Sequence, residues 1–180
     1  MSSNNLSQTR LLQGTGIACS GFLTGYISLF SVVDRFALME TPTTETAKLW
    51  QGMYNVGKSS APPMAILSAG IFGYLAYQGE HRDWRYRASA DFPHRSAPTR
   101  DLAQLYSATA VLLPLIAPYT LTLMKSTNNA LHVAADKGTT DTARIRELLN
   151  TWWKLNAGRA ALTGVATVLA IWASAQPNTF

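Results

Sequence analysis

Charge is sorted into blocks along this chain. Four stretches, 11–33, 59–79, 102–124 and 160–180, hold no Asp, Glu, Lys or Arg, and they are 23, 21, 23 and 21 residues long. All 15 basic and 10 acidic residues fall outside them. About 20 residues of helix cross the hydrocarbon core of a bilayer. A helix of a soluble bundle instead carries charge on its outer face at nearly every turn. The pattern therefore predicts an all-α protein, a transmembrane four-helix bundle of up-down-up-down topology. Residues 1–180 form one integral membrane domain, with spans at about 14–33, 61–78, 102–124 and 159–175. A soluble bundle with unusually clean helices is the competing reading.

Small residues fill the first span, and Gly21 and Gly25 form a GxxxG pair that lets helix backbones approach closely in lipid. Packing inside the bundle is its first use, and a homo-oligomer contact the second. Beyond Thr41-Pro42, residues 43–57 read as a short helix with Trp50 and Tyr54 four apart on one face. Aromatics placed so either sit at the membrane interface or wall a pocket. Ser59 and Ser60 offer an N-cap to the second span, with Pro62-Pro63 in its first turn. The densest charge lies in 79–101, which reads as a solvated loop interrupted by Pro93 and Pro98. Pro114 and Pro118 should bend the third span and leave carbonyls near Ala110 and Pro114 for neighbours to satisfy. From about Asp141 only Gly158 interrupts a helical pattern, so a preceding helix extends the fourth span, which ends near Ala175 before Gln176-Pro177.

Composition narrows the function classes. Charged residues make up 14% of the chain, against about 25% in soluble domains. The net charge of +5 is spread over the connections, and no basic run is interleaved with aromatics, which argues against nucleic acid. One cysteine, Cys19, excludes an internal disulfide and a cysteine-based metal cluster. His81 and His94 lack the i, i+3 or i+4 partner of a helical metal site, so no metal is expected. No P-loop, GxSxG, HExxH, CxxC or dinucleotide fingerprint occurs. The first apolar run is long for a signal-peptide core and lacks a clear cleavage site, so it reads as a retained span.

Polar groups return at helical spacing after the third span: Lys125, Asn128, Asn129, His132 and Asp136. Asn128 and His132 are i, i+4, and so are His132 and Asp136, which lets a carboxylate orient the imidazole. Trp152, Asn156 and Arg159 form one stripe at i, i+4, i+7 entering the fourth span. Short connections bring the end of span one, the start of span two, the end of span three and the start of span four to the same side. Tyr54, Lys58, Asn128, His132, Trp152, Asn156 and Arg159 all belong to that side by connectivity. Each alone is explained as an interface anchor, but their convergence points to a site, since ionisable groups within spans tend to be functional. A histidine beside amides and a guanidinium can abstract a proton and hold the resulting anion. Aromatic walls suit a flat ligand. The residues alone thus describe an apolar pocket that abstracts a proton or holds a ligand.

The segments LYSATAVLLPLIAPYTLTLMKSTNNAL and LLNTWWKLNAGRAAL resemble the signature of the fungal anthrone oxygenase family. LTGYISLFSV, WQGMYNVG and Pro62-Pro63 are similar to the family's first half. The resemblance implies oxidation of a polyketide anthrone to an anthraquinone by molecular oxygen, with no dedicated cofactor. It implies an internal membrane of a fungal cell, such as the endoplasmic reticulum, and association with other biosynthetic enzymes. The family's motif positions fall on Thr127, Asn128, Leu131, Trp152, Asn156 and Arg159. His132 adjoins them and is the expected base, with Arg159, Asn156 and Asn128 holding the oxyanion. Trp152, Tyr54, Trp50, Lys58 and Thr127 are the expected substrate-binding residues. The rival is a non-catalytic membrane protein that binds or passes an apolar metabolite, or scaffolds a biosynthetic complex.

Overall fold

The computed structural model describes residues 3–40, 43–89 and 98–176; of these, the side chains of 3–5, 33–35, 39, 43–44, 82–89 and 98–100 are not described. Thr41-Pro42, Pro93, His94 and Pro177 lie outside the described residues, as do the side chains of the charged stretch from Arg82 to Arg100. The described chain is helical almost throughout. Its elements are α1 (Ser3–Glu40), α2 (Thr43–Ser89), α3 (Pro98–Leu112), α4 (Ile116–Thr122), α5 (Lys125–Lys137) and α6 (Thr142–Ala175).

Three helical stretches are long and apolar enough to cross a membrane: Leu6–Leu38, Asp101–Thr122 and Thr142–Ala175. The uncharged part of α2 is not among them, because Pro62, Pro63, Ser68, Tyr74 and Tyr77 dilute its hydropathy. The long helices, α2 included, carry large apolar side chains on their outer surfaces, Phe22, Ile66, Val111, Val168 and Trp172 among them. Such a surface suits hydrocarbon rather than water.

α2 departs from the expected short helix and separate span. It is one helix of 47 residues that runs straight through Pro62 and Pro63. Two adjacent prolines remove two backbone donors, but α2 packs on both α1 and α3, and beyond the prolines Phe72 still lies against Gly16 of α1, so tertiary contact holds the helix together. Ser59 and Ser60 are accordingly not N-caps. Their hydroxyls bond back to the carbonyls of Asn55 and Val56 in the preceding turn. The same helix extends to Ser89, into the stretch expected to be loop.

The third apolar stretch breaks at its prolines. α3 ends at Leu112, the Leu115 N–H turns back to the Leu112 carbonyl at 3.2 Å, and the Ala117 N–H satisfies the Pro114 carbonyl at 3.0 Å. After this tight turn the packing partners change. α3 packs on α2 and α6, whereas α4 packs on α6 and α5. α5 ends on Gly138, whose φ of 58° closes the helix in the left-handed conformation. Asp141 caps α6 by accepting from the Arg144 N–H at 3.0 Å, and α6 then runs unbroken through Gly158.

Buried side chains form two clusters. One lies among the apolar stretches of α1, α2, α3 and α6, around Leu23, Phe72, Tyr106 and Ala166. There Gly21 lies against Thr167 of α6, while Gly25 meets no described side chain within 4 Å. Hydroxyls in this region satisfy themselves on the preceding turn, as Thr24, Ser68 and Thr109 do, which a bilayer requires of polar groups. At its far end Gln13 donates to the Tyr106 hydroxyl at 2.9 Å, and Tyr106 bonds Ser174 at 2.9 Å, tying α1, α3 and α6 together. The second cluster gathers Leu38, Trp50, Met124, Leu131, Leu149 and Trp152 where α1 ends and α6 begins. The candidate site lies between the two.

Candidate active site

A cavity of about 290 Å³ opens at this junction, within the size range of small-molecule sites at its lower end. α1 contributes Tyr26 and Phe30; α2 contributes Met53, Tyr54, Gly57, Lys58, Ala61 and Pro62. α4 contributes Ile116, Ala117, Thr120 and Leu121, and α6 contributes Trp152, Asn156 and Arg159. Its wall is mostly apolar and aromatic, with one guanidinium reaching in from α6.

Arg159 is the unusual member of that wall. Its Nη1 donates to Asn156 Oδ1 at 3.2 Å, one turn earlier on α6. Its Nε is buried without a hydrogen-bond partner among the described residues. The polar groups nearest to it electrostatically are the phenols of Tyr54 and Tyr119, and no carboxylate pairs with it among the described residues. A buried cation without a counter-ion is costly. An anion that forms inside the cavity removes that cost.

Asn156 is 1% exposed, and its amide is fully engaged. Nδ2 donates to the Ile27 carbonyl at 2.9 Å and to Ser31 Oγ at 2.8 Å, both on α1, while Oδ1 receives Arg159. Both amide protons are therefore spent on α1. Asn156, expected among the oxyanion-holding residues, thus links α6 to α1 through Nδ2 and bonds the Arg159 guanidinium through Oδ1.

Five of the expected residues share the cavity: Trp152, Tyr54, Lys58, Asn156 and Arg159. Four do not line it. Trp50 is fully buried behind the wall, stacked on Tyr54 with centroids 5.1 Å apart and edge-on to Trp152 at 5.9 Å. His132 lies behind them in turn, edge-on to Trp50 and Tyr54 at 5.0 Å each. Its Nδ1 is 3.2 Å from Gln51 Nε2, which also donates to Asp136 Oδ1 at 3.0 Å. The anticipated His132–Asp136 pair is thus bridged by a glutamine that sequence spacing did not disclose. Asn128 is buried and its Nδ2 approaches the Tyr54 hydroxyl at 3.5 Å. Thr127 is buried on α5 away from the cavity. Among the described residues no group of three His, Cys, Asp or Glu side chains is arranged to hold a metal ion.

Sequence reasoning missed the contribution of α1 altogether. Tyr26 and Phe30 read as ordinary span residues, yet they line the cavity and pack edge-to-face at 4.9 Å. The Tyr26 hydroxyl lies 2.9 Å from Ser60 Oγ, which ties this wall to α2. Their spacing, i and i+4 on the helix that ends beside the site, was the available signal. Gly158 was read only as an interruption of the helical pattern. A Cβ there would collide with the Tyr119 hydroxyl, so glycine is what lets α4 lie directly on α6 beside Arg159.

Comparison with known proteins places this site in context. The family model described as anthrone oxygenase matches residues 50–169. Anthrone oxygenase tpcL of Aspergillus fumigatus is 26% identical over 164 residues, spanning 89% of this chain and 91% of that protein. An anthrone oxygenase of Emericella nidulans is 29% identical over 124 residues, 67% of this chain and 55% of that protein. No solved structure matches. The family match takes in α6 to beyond Arg159, α4, α5 and most of α2, which together build all of the cavity except the α1 wall. This chain belongs to the anthrone oxygenase family of oxygenase enzymes.

Proposed function

We propose that this protein converts a polyketide anthrone to the corresponding anthraquinone with molecular oxygen, in a cavity of a four-span, up-down-up-down membrane bundle. It does so without a metal or organic cofactor, as one integral domain of an internal fungal membrane such as the endoplasmic reticulum, where it can associate with other biosynthetic enzymes. The single observation that carries the reading is Arg159: a cation with a buried Nε and no carboxylate partner among the described residues, on the wall of a mostly apolar and aromatic cavity. The family relationship supplies the substrate class. For the fourth span, support comes from the uncharged 59–79 stretch of α2, which packs between α1 and α3.

An anthrone methylene lies between two aryl rings and is conjugated to the carbonyl, so its proton is unusually acidic. Once the proton leaves, charge spreads onto the carbonyl oxygen, which Arg159 receives. Donors aimed at a developing oxyanion in a dry site are worth about 3–4 kcal/mol each. The carbanion passes one electron to oxygen, giving a carbon radical and superoxide. Their recombination forms a C–O bond and a hydroperoxide, which loses water to leave the second carbonyl. One oxygen atom ends in the quinone and the other in water. The anthrone supplies every electron, so the balance calls for no external reductant.

Proton acceptance is assigned to Tyr54 in its phenolate form, its own proton having first passed to solvent, rather than to His132, which does not line the cavity. Tyr54 is on the wall, its oxygen faces the Asn128 amide donor, and Arg159 is its electrostatic neighbour. His132 braces the Trp50–Tyr54 wall from behind. Trp152 offers a ring face or edge to the flat substrate. The test is turnover by purified protein stripped of metal by chelation and free of flavin absorbance. Retained anthraquinone formation supports the reading, and a requirement for added iron or flavin would overturn the cofactor-free chemistry.

A further inference from the structure

We propose that the cavity is loaded from the bilayer through a slot between α2 and α4, and that Ala117 sets what the slot admits. The break at Leu113–Leu115 is the source of the slot. α3 packs closely along α2, but past Pro114 the chain packs on α6 and α5, and α4 makes at most slight contact with α2. α2 and α4 nevertheless both line the cavity, so the space between them is its open side. Pro62 stands on one edge, and Ala117 and Leu121 stand on the other. Both of the latter are exposed, Leu121 at 70%, although they also line the cavity.

The position of this opening decides where it leads. Ala117 and Leu121 belong to the stretch Asp101–Thr122 that is apolar enough to cross a membrane. Leu115 and Leu123 at the two ends of α4, and Ile66 and Leu67 one turn beyond Pro62 on α2, are exposed apolar side chains on the same two helices. A mouth framed by such residues opens onto acyl chains, not water. Its edges are a proline ring and the single methyl of Ala117, so it is shaped for something thin. The ligand class that fits is a planar, fused aromatic molecule dissolved in the membrane. The Tyr119–Gly158 contact holds α4 back on α6 and so keeps the slot open. The inference rests on the proposed function for the chemistry of the ligand, and on the helix packing for its route.

A residue that gates a route changes rates in both directions, whereas one that binds ligand changes the equilibrium. The test uses full-length protein in phosphatidylcholine nanodiscs and a hydroxylated anthraquinone as probe, followed by quenching of tryptophan fluorescence. Ala117→Trp should slow association and dissociation together by about tenfold while leaving Kd within about twofold. Val165→Trp, an equally exposed change on α6 away from the slot, should alter neither rate. Binding to wild type with rates unaffected by Ala117→Trp would overturn the slot but leave the proposed function standing. A changed Kd at unchanged association rate would make Ala117 a contact residue and also overturn it. Failure of wild type to bind the probe at all would overturn both.

Discussion

Replacing Asn156 by alanine is the perturbation whose consequences the structure states most fully. Three bonds disappear: to the Ile27 carbonyl at 2.9 Å, to Ser31 Oγ at 2.8 Å, and from Arg159 Nη1 at 3.2 Å. Side-chain hydrogen bonds between helices in a bilayer average about 0.6 kcal/mol, and a bond to a charged group adds about 1.5 kcal/mol or more. The variant should therefore lose about 2–3 kcal/mol of stability, read by thermal unfolding in detergent. Activity should fall further than stability implies. With its acceptor gone, the guanidinium is free to swing, and a displacement of about 1 Å at a reacting centre can cost about 100-fold. The loss should appear in kcat more than KM, because the oxyanion forms only on the way to the transition state. Asn156→Asp keeps an oxygen for Arg159 but neutralises the cation and loses both donors to α1, so it should not rescue. Ser31→Ala removes one acceptor only and should cost a few-fold at most. An Asn156→Ala enzyme that folds and retains its kcat would refute the positioning role.

Three further outcomes follow from the geometry. Gly158→Ala should cost about 1–3 kcal/mol by overpacking against Tyr119, and Tyr119→Phe in the same chain should recover part of the loss in thermal unfolding, because the hydroxyl is the nearest atom. Tyr54→Phe should reduce anthrone turnover more than His132→Ala does, since only Tyr54 lies on the cavity wall; the reverse order would return the base to His132. Asp141→Ala removes the cap of α6 and should destabilise by about 1 kcal/mol with kcat unchanged, which separates general loss of stability from loss of the site.

Much of the helical framework was legible because charge cannot be left in hydrocarbon. That one constraint located α1, the α3–α4 stretch and α6, and placed Trp152, Asn156 and Arg159 on one stripe. What it did not disclose has identifiable causes. Local rules put a boundary at Ser59–Pro63, but contacts with α1 and α3 carry α2 through it. The break at Leu113–Leu115 changes what α4 and α5 pack against, so spacing within α5 could not say that Asn128 and His132 both lie off the cavity wall. Arg159 was visible as an anomaly, whereas the reason for its geometry was not. Asn156 is fixed by the backbone carbonyl of Ile27, and a carbonyl leaves no signature in side-chain sequence. Tyr26 and Phe30 were hidden for the opposite reason, since aromatic residues are unremarkable in a span.

The central claim is that Arg159 meets an oxyanion created inside an apolar cavity. Anthraquinone formation and oxygen uptake by purified wild type and Arg159→Gln, at saturating anthrone, test it most directly. The account predicts one oxygen consumed per quinone formed by wild type, and a kcat about 10²–10³-fold lower in Arg159→Gln with binding of the neutral substrate largely kept. A variant that turns over at the wild-type rate would contradict it.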